Sequence, residues 1–355
     1  MLYQILACGS NGKSQLGIGN NEDQNQLQVV KFAGFDTLLV NKPVAILCGG
    51  NHTIILMENG DAYSSGDNSY GQCGLVGVEY VSEFTKIPGS GWVTGSCGWE
   101  FSILINKHNE IFACGYGMKG ELGLGVETKQ CGLTKVNYTV PNGVRIMEIK
   151  SSLNHSVMKM SNGQLVGWGN CRKGQLGRQN IMPDSKKLQP VIWEPRTLDF
   201  GIDISQPLEF AVGRDFTIIH FLASHQAQMF GKSFELEHVS NGSALKSMWS
   251  SVHFLVLNDE RSSIKSFGNN SHGQHIPATP IEIERYEIGS EHGIILTPKN
   301  EVFAWGWGEH GNCGIHKRND QEVTFDYLNP IYHGQNQVVL LGCGCATTWV
   351  VIRVE

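Results

Sequence analysis

No run of 18 apolar residues occurs in this 355-residue sequence, so no helical membrane span is expected. Charge is sparse. Only 17% of residues are charged, with 27 basic against 33 acidic and a net charge of −6. No basic stripe or tail appears, which argues against direct binding of nucleic acid. Long charge runs and low-complexity tracts are missing too, so disorder is not expected. The first residues, Met1-Leu2-Tyr3-Gln4-Ile5-Leu6-Ala7, lack a positive flank, and their apolar run is too short for a signal peptide. No glycine-rich phosphate loop follows a strand and opens a helix, and no Gly-x-Ser-x-Gly nucleophile elbow is found. These gaps predict a protein that is not an enzyme, with no catalytic residues. Cys343-Gly344-Cys345 is the one close cysteine pair, and no second pair has zinc-ligand spacing. No metal site and no cofactor are therefore expected.

What the sequence has is glycine, 43 residues of it, and a repeat. Eight of the ten cysteines stand directly before a glycine: Cys8, Cys48, Cys73, Cys97, Cys114, Cys131, Cys313 and Cys343. A disulfide framework has no reason for that placement, whereas a recurring strand end that wants a small apolar side chain does. The thiols read as reduced, in a protein of the cytoplasm and nucleus.

Two signatures alternate along the whole chain. The first is a Gly with a His or a substitute three residues later, then a β-rich run, as in Gly49-Gly50-Asn51-His52-Thr53-Ile54-Ile55-Leu56. It recurs from Gly98 (with Phe101), Ser152 (His155), Gly213 (Phe216), Ser250 (His253), Gly289 (His292) and Gly344 (Thr347). The second is a short apolar strand ending in Gly, a turn, and a Gln-Leu-Gly-like close. It reads Gly9 through Gln15-Leu16-Gly17, and returns at Gly66, Gly115, Gly169 and Gly306, with weaker copies at Gly231 and Gly268. Seven copies of each predict an all-β, seven-bladed propeller spanning 1–355. Kelch and tryptophan-aspartate signatures are absent. The chain starts and stops in mid-unit, which predicts that residues 2–8 join the C-terminal strands in a shared closing blade and remove two open sheet edges. Blades then begin near 44, 91, 144, 208, 244 and 282, and the last combines 337–355 with 1–43. Insertions are expected at 18–43, 125–143, 178–207 and 315–336, with compact blades from 208 and 244.

These fourteen copies resemble the regulator of chromosome condensation repeat family over the full chain. Four strings carry a narrower resemblance: Cys48-Gly49-Gly50-Asn51-His52, Gly289-Ser290-Glu291-His292-Gly293-Ile294, Trp305 through Gly314, and Gly344-Cys345-Ala346-Thr347-Thr348-Trp349. They are similar to the fungal alpha-tubulin-suppressor and killer-toxin-insensitivity group of these propellers. That resemblance implies a heterodimer with a small CSL-type zinc- or iron-binding protein of diphthamide synthesis. Through it, two further roles are implied: Elongator-dependent modification of the tRNA wobble uridine, and diphthamide synthesis. The founding member of the family implies an alternative, guanine-nucleotide exchange on a small nuclear GTPase.

Comparing copies with one another separates blade structure from function. After the strand-ending Gly the chain shows Ser10, Asp67, Tyr116, Asn170, Lys232, Asn269 and Trp307. Trp307 breaks a polar series, and Tyr116 does so more mildly. The ring of Trp307 is either an interface anchor or folded over its own blade. Glu309 and His310 nearby are either partner contacts or a solvated turn. Before the His position, Trp99-Glu100, Arg214-Asp215 and Glu291-His292 stand out. Three acids on one rim suit a basic partner, and the alternative is a local ion pair at Arg214. His52, His155, His253 and His292 recur once per blade and are expected to hydrogen-bond within it. Trp168 and Trp305 read as core.

Overall fold

The computed structural model describes residues 1–177, 190–203, 206–239, 242–257, 261–319 and 321–354. Twenty-six strands, and no helix among the described residues, form seven antiparallel sheets. Their innermost strands are Pro43–Cys48, Trp92–Cys97, Ile146–Ser151, Leu208–Val212, Gly242–Ser247, Arg285–Ile288 and Gln337–Cys343. Each touches the innermost strand of the blade on either side, and the seventh touches the first, so the ring closes around a central channel. Blades are numbered one to seven in that order.

Closure is a strand exchange. The seventh sheet runs Gln24–Val29, Leu2–Gly9, Thr347–Val354, Gln337–Cys343, from outside to inside. Leu2–Gly9 pairs antiparallel with Thr347–Val354 over eight residues, from Leu2↔Val354 to Gly9↔Thr347. The two ends of the chain thus share one hydrogen-bonded ladder.

Blades four and five have three strands each among the described residues. In blade four the described residues after the third strand, Ala227–Gly231, form no further strand up to Val239, and Phe234 among them packs edge-on against Phe216. In blade five Pro277 and Pro280 fall where a fourth strand would run, and proline has no N–H to give a ladder. Of the expected insertion at 178–207, residues 178–189 and 204–205 lie outside the described residues.

The apolar core lies between blades. One cluster joins Phe101 and Ile103 of blade two, Val157 and Trp168 of blade three, and Phe210 and Ile219 of blade four. Trp168 and Trp305 are fully buried. Each indole N–H donates to a carbonyl of the preceding blade, Glu121 at 2.8 Å and Gln274 at 2.9 Å. Cys8, Cys48, Cys73, Cys97, Cys114, Cys131, Cys313, Cys343 and Cys345 are free thiols.

Candidate interaction face

The two signatures are halves of one joint. The strand-ending glycines Gly9, Gly66, Gly115, Gly169, Gly231, Gly268 and Gly306 all have φ between 99° and 114°. A Cβ on any of them would come within 2.7 Å of a first-signature carbonyl: Ala346, Asn51, Glu100, Asn154, Asp215, Ser250 and Glu291 in turn. Only glycine tolerates both the dihedral and the approach. The residue after each glycine then donates its N–H to that same carbonyl, as Trp307 does to Glu291 at 3.0 Å. Both loops of every blade therefore lie on one face of the propeller.

The closing Gln of the second signature fastens the turn. Gln15, Gln72, Gln175 and Gln274 each accept, through Oε1, the N–H two residues upstream at 2.9 Å. Glu121 does the same for Lys119 and accepts from Asn154 of the next blade. Blade five, whose close reads Gln274-His275, keeps this geometry. His275 N–H donates to Asn270 as Leu16 N–H does to Asn11.

Around the channel mouth the first-signature loops join by backbone hydrogen bonds. Gly50 donates to Trp99, Trp99 to Leu153, Arg214 to Trp249, and Trp249 to Ser290. That series corrects the register read for blade five. Met248 N–H donates to the Ser251 carbonyl, as Gly49 does to His52 and Gly289 to His292. The copy starts at Met248, not Ser250, so Trp249 is the counterpart of Trp99. The imidazole of His253, two residues further along, imitated the repeat. Trp99 and Trp249 meet over the channel with ring centroids 5.7 Å apart, between residues of blades two and five. The sequence reading missed Trp249, and the Gly-less start at Met248 is why.

The predicted residues divide. Trp99 is 37% exposed, Arg214 is exposed, and Asp215 sits 3.9 Å from the Arg214 guanidinium. Glu291 is half-buried, accepting from Ser250 and from Gln274. Burial raises its carboxyl above the usual range, and those donors partly offset the shift. Glu100 is raised by burial first and by Asp67 second. Trp307 stacks face to face on His272 at 4.3 Å, so its ring lies against blade five and not over its own blade. Glu309 and His310 are exposed further out, and His310 pairs with Asp23 at 2.8 Å. His292 does not face outward. Its side chain is buried, and its Nε2 meets Thr348 of blade seven at 2.9 Å.

The hydrogen bonds of the recurring histidines also differ from expectation. His52 reaches Ser102 in blade two at 2.7 Å, and Ser102 donates back to the Gln72 carbonyl of blade one at 2.8 Å. His292, Thr348 and the Asn312 carbonyl repeat the relay between blades six and seven. His253 alone bonds within its own blade, to Ser251 and Ser266.

Cys48 and Cys97 line the channel mouth with their thiols pushed up to about 12 by burial. Thiols that hold their protons so tightly are poor nucleophiles. Among the described residues no group of three or more His, Cys, Asp or Glu could hold a metal ion. The face offers shape, aromatic surface and charge, which suit recognition.

Comparison with known proteins agrees with this architecture. Two models of the regulator of chromosome condensation (RCC1) repeat match residues 4–56 and 44–72. An RCC1 repeat-containing protein of Schizosaccharomyces pombe is 28% identical over 98% of this chain and 99% of its own length. The mouse secretion-regulating guanine nucleotide exchange factor is 21% identical over 98% of this chain and 83% of its own. Among solved structures, Prp20p of Saccharomyces cerevisiae, studied for its binding to Gsp1p and histones, superposes with a TM-score of 0.80. It is 17% identical, over 100% of this chain and 92% of that one.

Proposed function

We propose that this chain, a seven-bladed propeller in which residues 4–72 match the regulator of chromosome condensation repeat, is a non-catalytic interaction protein whose signature face binds a partner protein. The observation that carries this reading is the convergence of both loops of every blade on one face, with Trp99 and Trp249 paired at its centre. Large aromatic side chains held half-exposed by a rigid scaffold are the usual anchors of protein interfaces. The partner proposed is a small CSL-type zinc- or iron-binding protein, in a heterodimer that serves Elongator-dependent tRNA wobble uridine modification and diphthamide synthesis in the cytoplasm and nucleus. Support for that partner is the sequence resemblance described above. Replacing Trp99 and Trp249 together by Ala should abolish co-purification of this metalloprotein while the thermal unfolding transition is kept. Undiminished co-purification would count against the face.

A second reading has its own support, because relatives of this chain are named as exchange factors. Besides the mouse protein, the human RCC1-like G exchanging factor-like protein is 25% identical over 92% of this chain and 68% of its own. On that reading the same face holds a small nuclear GTPase. Release of a fluorescent guanine nucleotide from the purified GTPase, accelerated by this chain, would establish it.

A further inference from the structure

The charges of the signature face are unevenly divided. On blades two to four the turn tips carry Lys119, Arg172, Lys173 and Lys232, all exposed. Among the described residues none of the four has a carboxylate at ion-pair distance, and Lys119 rests on the Asn154 side chain at 3.2 Å. Arg214, on the inner loop of blade four, is 63% exposed and only loosely held by Asp215. Of the acids in this half, Glu121 is buried under its own turn, Glu100 is partly buried and Asp215 lies beside Arg214, while Glu79 and Glu127 are exposed on blades one and two, outside the cluster of cations. On blades six and seven the tips carry Glu309 and Asp23 instead, with Lys13 turned onto the Tyr80 ring.

Aromatic surface accompanies the cations. Tyr70 and Tyr116, on the turns of blades one and two, stack at 4.8 Å. Beside them Met118 is 54% exposed, and Trp99 opens toward the channel. Apolar rings next to unpaired cations fit a partner that brings an apolar side chain flanked by carboxylates. They do not fit the basic partner that the sequence suggested, because the three acids behind that expectation are partly buried or already paired.

We propose that blades one to four seat an acidic segment of a protein partner, its apolar side chain against Trp99 and Tyr116 and its carboxylates on Lys119, Arg172, Lys173, Arg214 and Lys232. This rests on the reading of the signature face as a docking surface. A continuous polyphosphate is a poorer occupant, since it would run on toward Glu309 and Asp23 on a chain of net charge −6.

The test uses the full chain and three labelled probes: a short peptide alternating Glu with Phe and Leu, the same peptide with Lys for Glu, and an oligouridylate. The acidic peptide should bind, and should weaken as salt is raised. Changing Lys119, Arg172, Lys173 and Lys232 together to Glu should weaken it at least about tenfold. The four-fold change to Gln should weaken it less, and Glu309→Lys with Asp23→Lys should leave it unchanged or tighter. The thermal transition identifies any variant that fails to fold, and the salt dependence of the unaltered chain stands without variants. Failure of the acidic peptide to bind overturns the proposal. So does stronger binding of the Lys peptide or of oligouridylate, or a loss caused only by the Glu309 and Asp23 changes. If the acidic peptide binds while the metalloprotein does not co-purify, the fault lies in the partner assigned above.

Discussion

At the scale of single residues, the glycines that end the third strands show how a small side chain fixes a blade. Gly115 combines a φ of 106° with the Glu100 carbonyl within reach of any Cβ, and the obstacle is backbone. Gly115→Ala should therefore cost about 2–4 kcal/mol, read as a lower urea midpoint. Gly12, one turn position in the closing blade, meets nothing within 4 Å, and Gly12→Ala should stay within about 0.5 kcal/mol. Equal losses at the two sites would mean that the joint is not what holds glycine there.

Elements are joined blade to blade by the histidine relay. In the first of these, Ser102 donates to the Gln72 carbonyl, so His52 must donate through Nε2 to Ser102. Ser102→Ala strands the His52 N–H in the core and leaves the Gln72 carbonyl with only the weak Cys114 thiol donor at 3.5 Å, and should cost about 1–3 kcal/mol. His52→Ala and Ser102→Ala act on one relay, so a double-mutant cycle should give a coupling of about 0.5–3 kcal/mol. Simple additivity would show that the relay is two unrelated contacts.

For the whole molecule, the buried histidines set the response to acid. Burial lowers His52, His155 and His292 to about 4 and His253 to about 3, against an ordinary value of 6.5. Groups depressed on folding stabilise the native state above the unfolded pKa. That contribution is lost as pH falls from about 6.5 toward 4, because the unfolded chain takes up protons that the folded one refuses. Unfolding near pH 5 should therefore absorb roughly three or more protons from this set. The raised carboxyls of Glu100, Glu121 and Glu291 oppose the trend in their own lower range. Urea midpoints at pH 7, 6 and 5 should decline in order, and His52→Gln should flatten the decline. A flat series would refute it. Closure gives a second whole-molecule outcome. Deleting Met1–Gly9 removes the eight-residue ladder with Thr347–Val354 and bares a strand edge in the closing blade, so size-exclusion chromatography should show aggregate in place of monomer.

The seven-bladed ring and its shared closing blade were legible from the residues alone, because each joint demands a glycine at φ near 100°, and such a demand leaves a visible mark seven times over. Trp99, Arg214 and Trp307 were legible as misfits against their sister copies. What the tertiary structure decided is where side chains point and what they meet. His292 looked like a rim residue and is a tie between blades, since a buried imidazole seeks its partner across the blade boundary and sequence spacing carries no record of neighbours. Trp249 stayed hidden because blade five substitutes Met248 for the marking glycine, and only the hydrogen bond from Met248 to Ser251 restores the register. The balance of charge on blades two to four was likewise settled in three dimensions: Glu121 is drawn into its turn, while Lys119, Arg172, Lys173 and Lys232 are left in solvent.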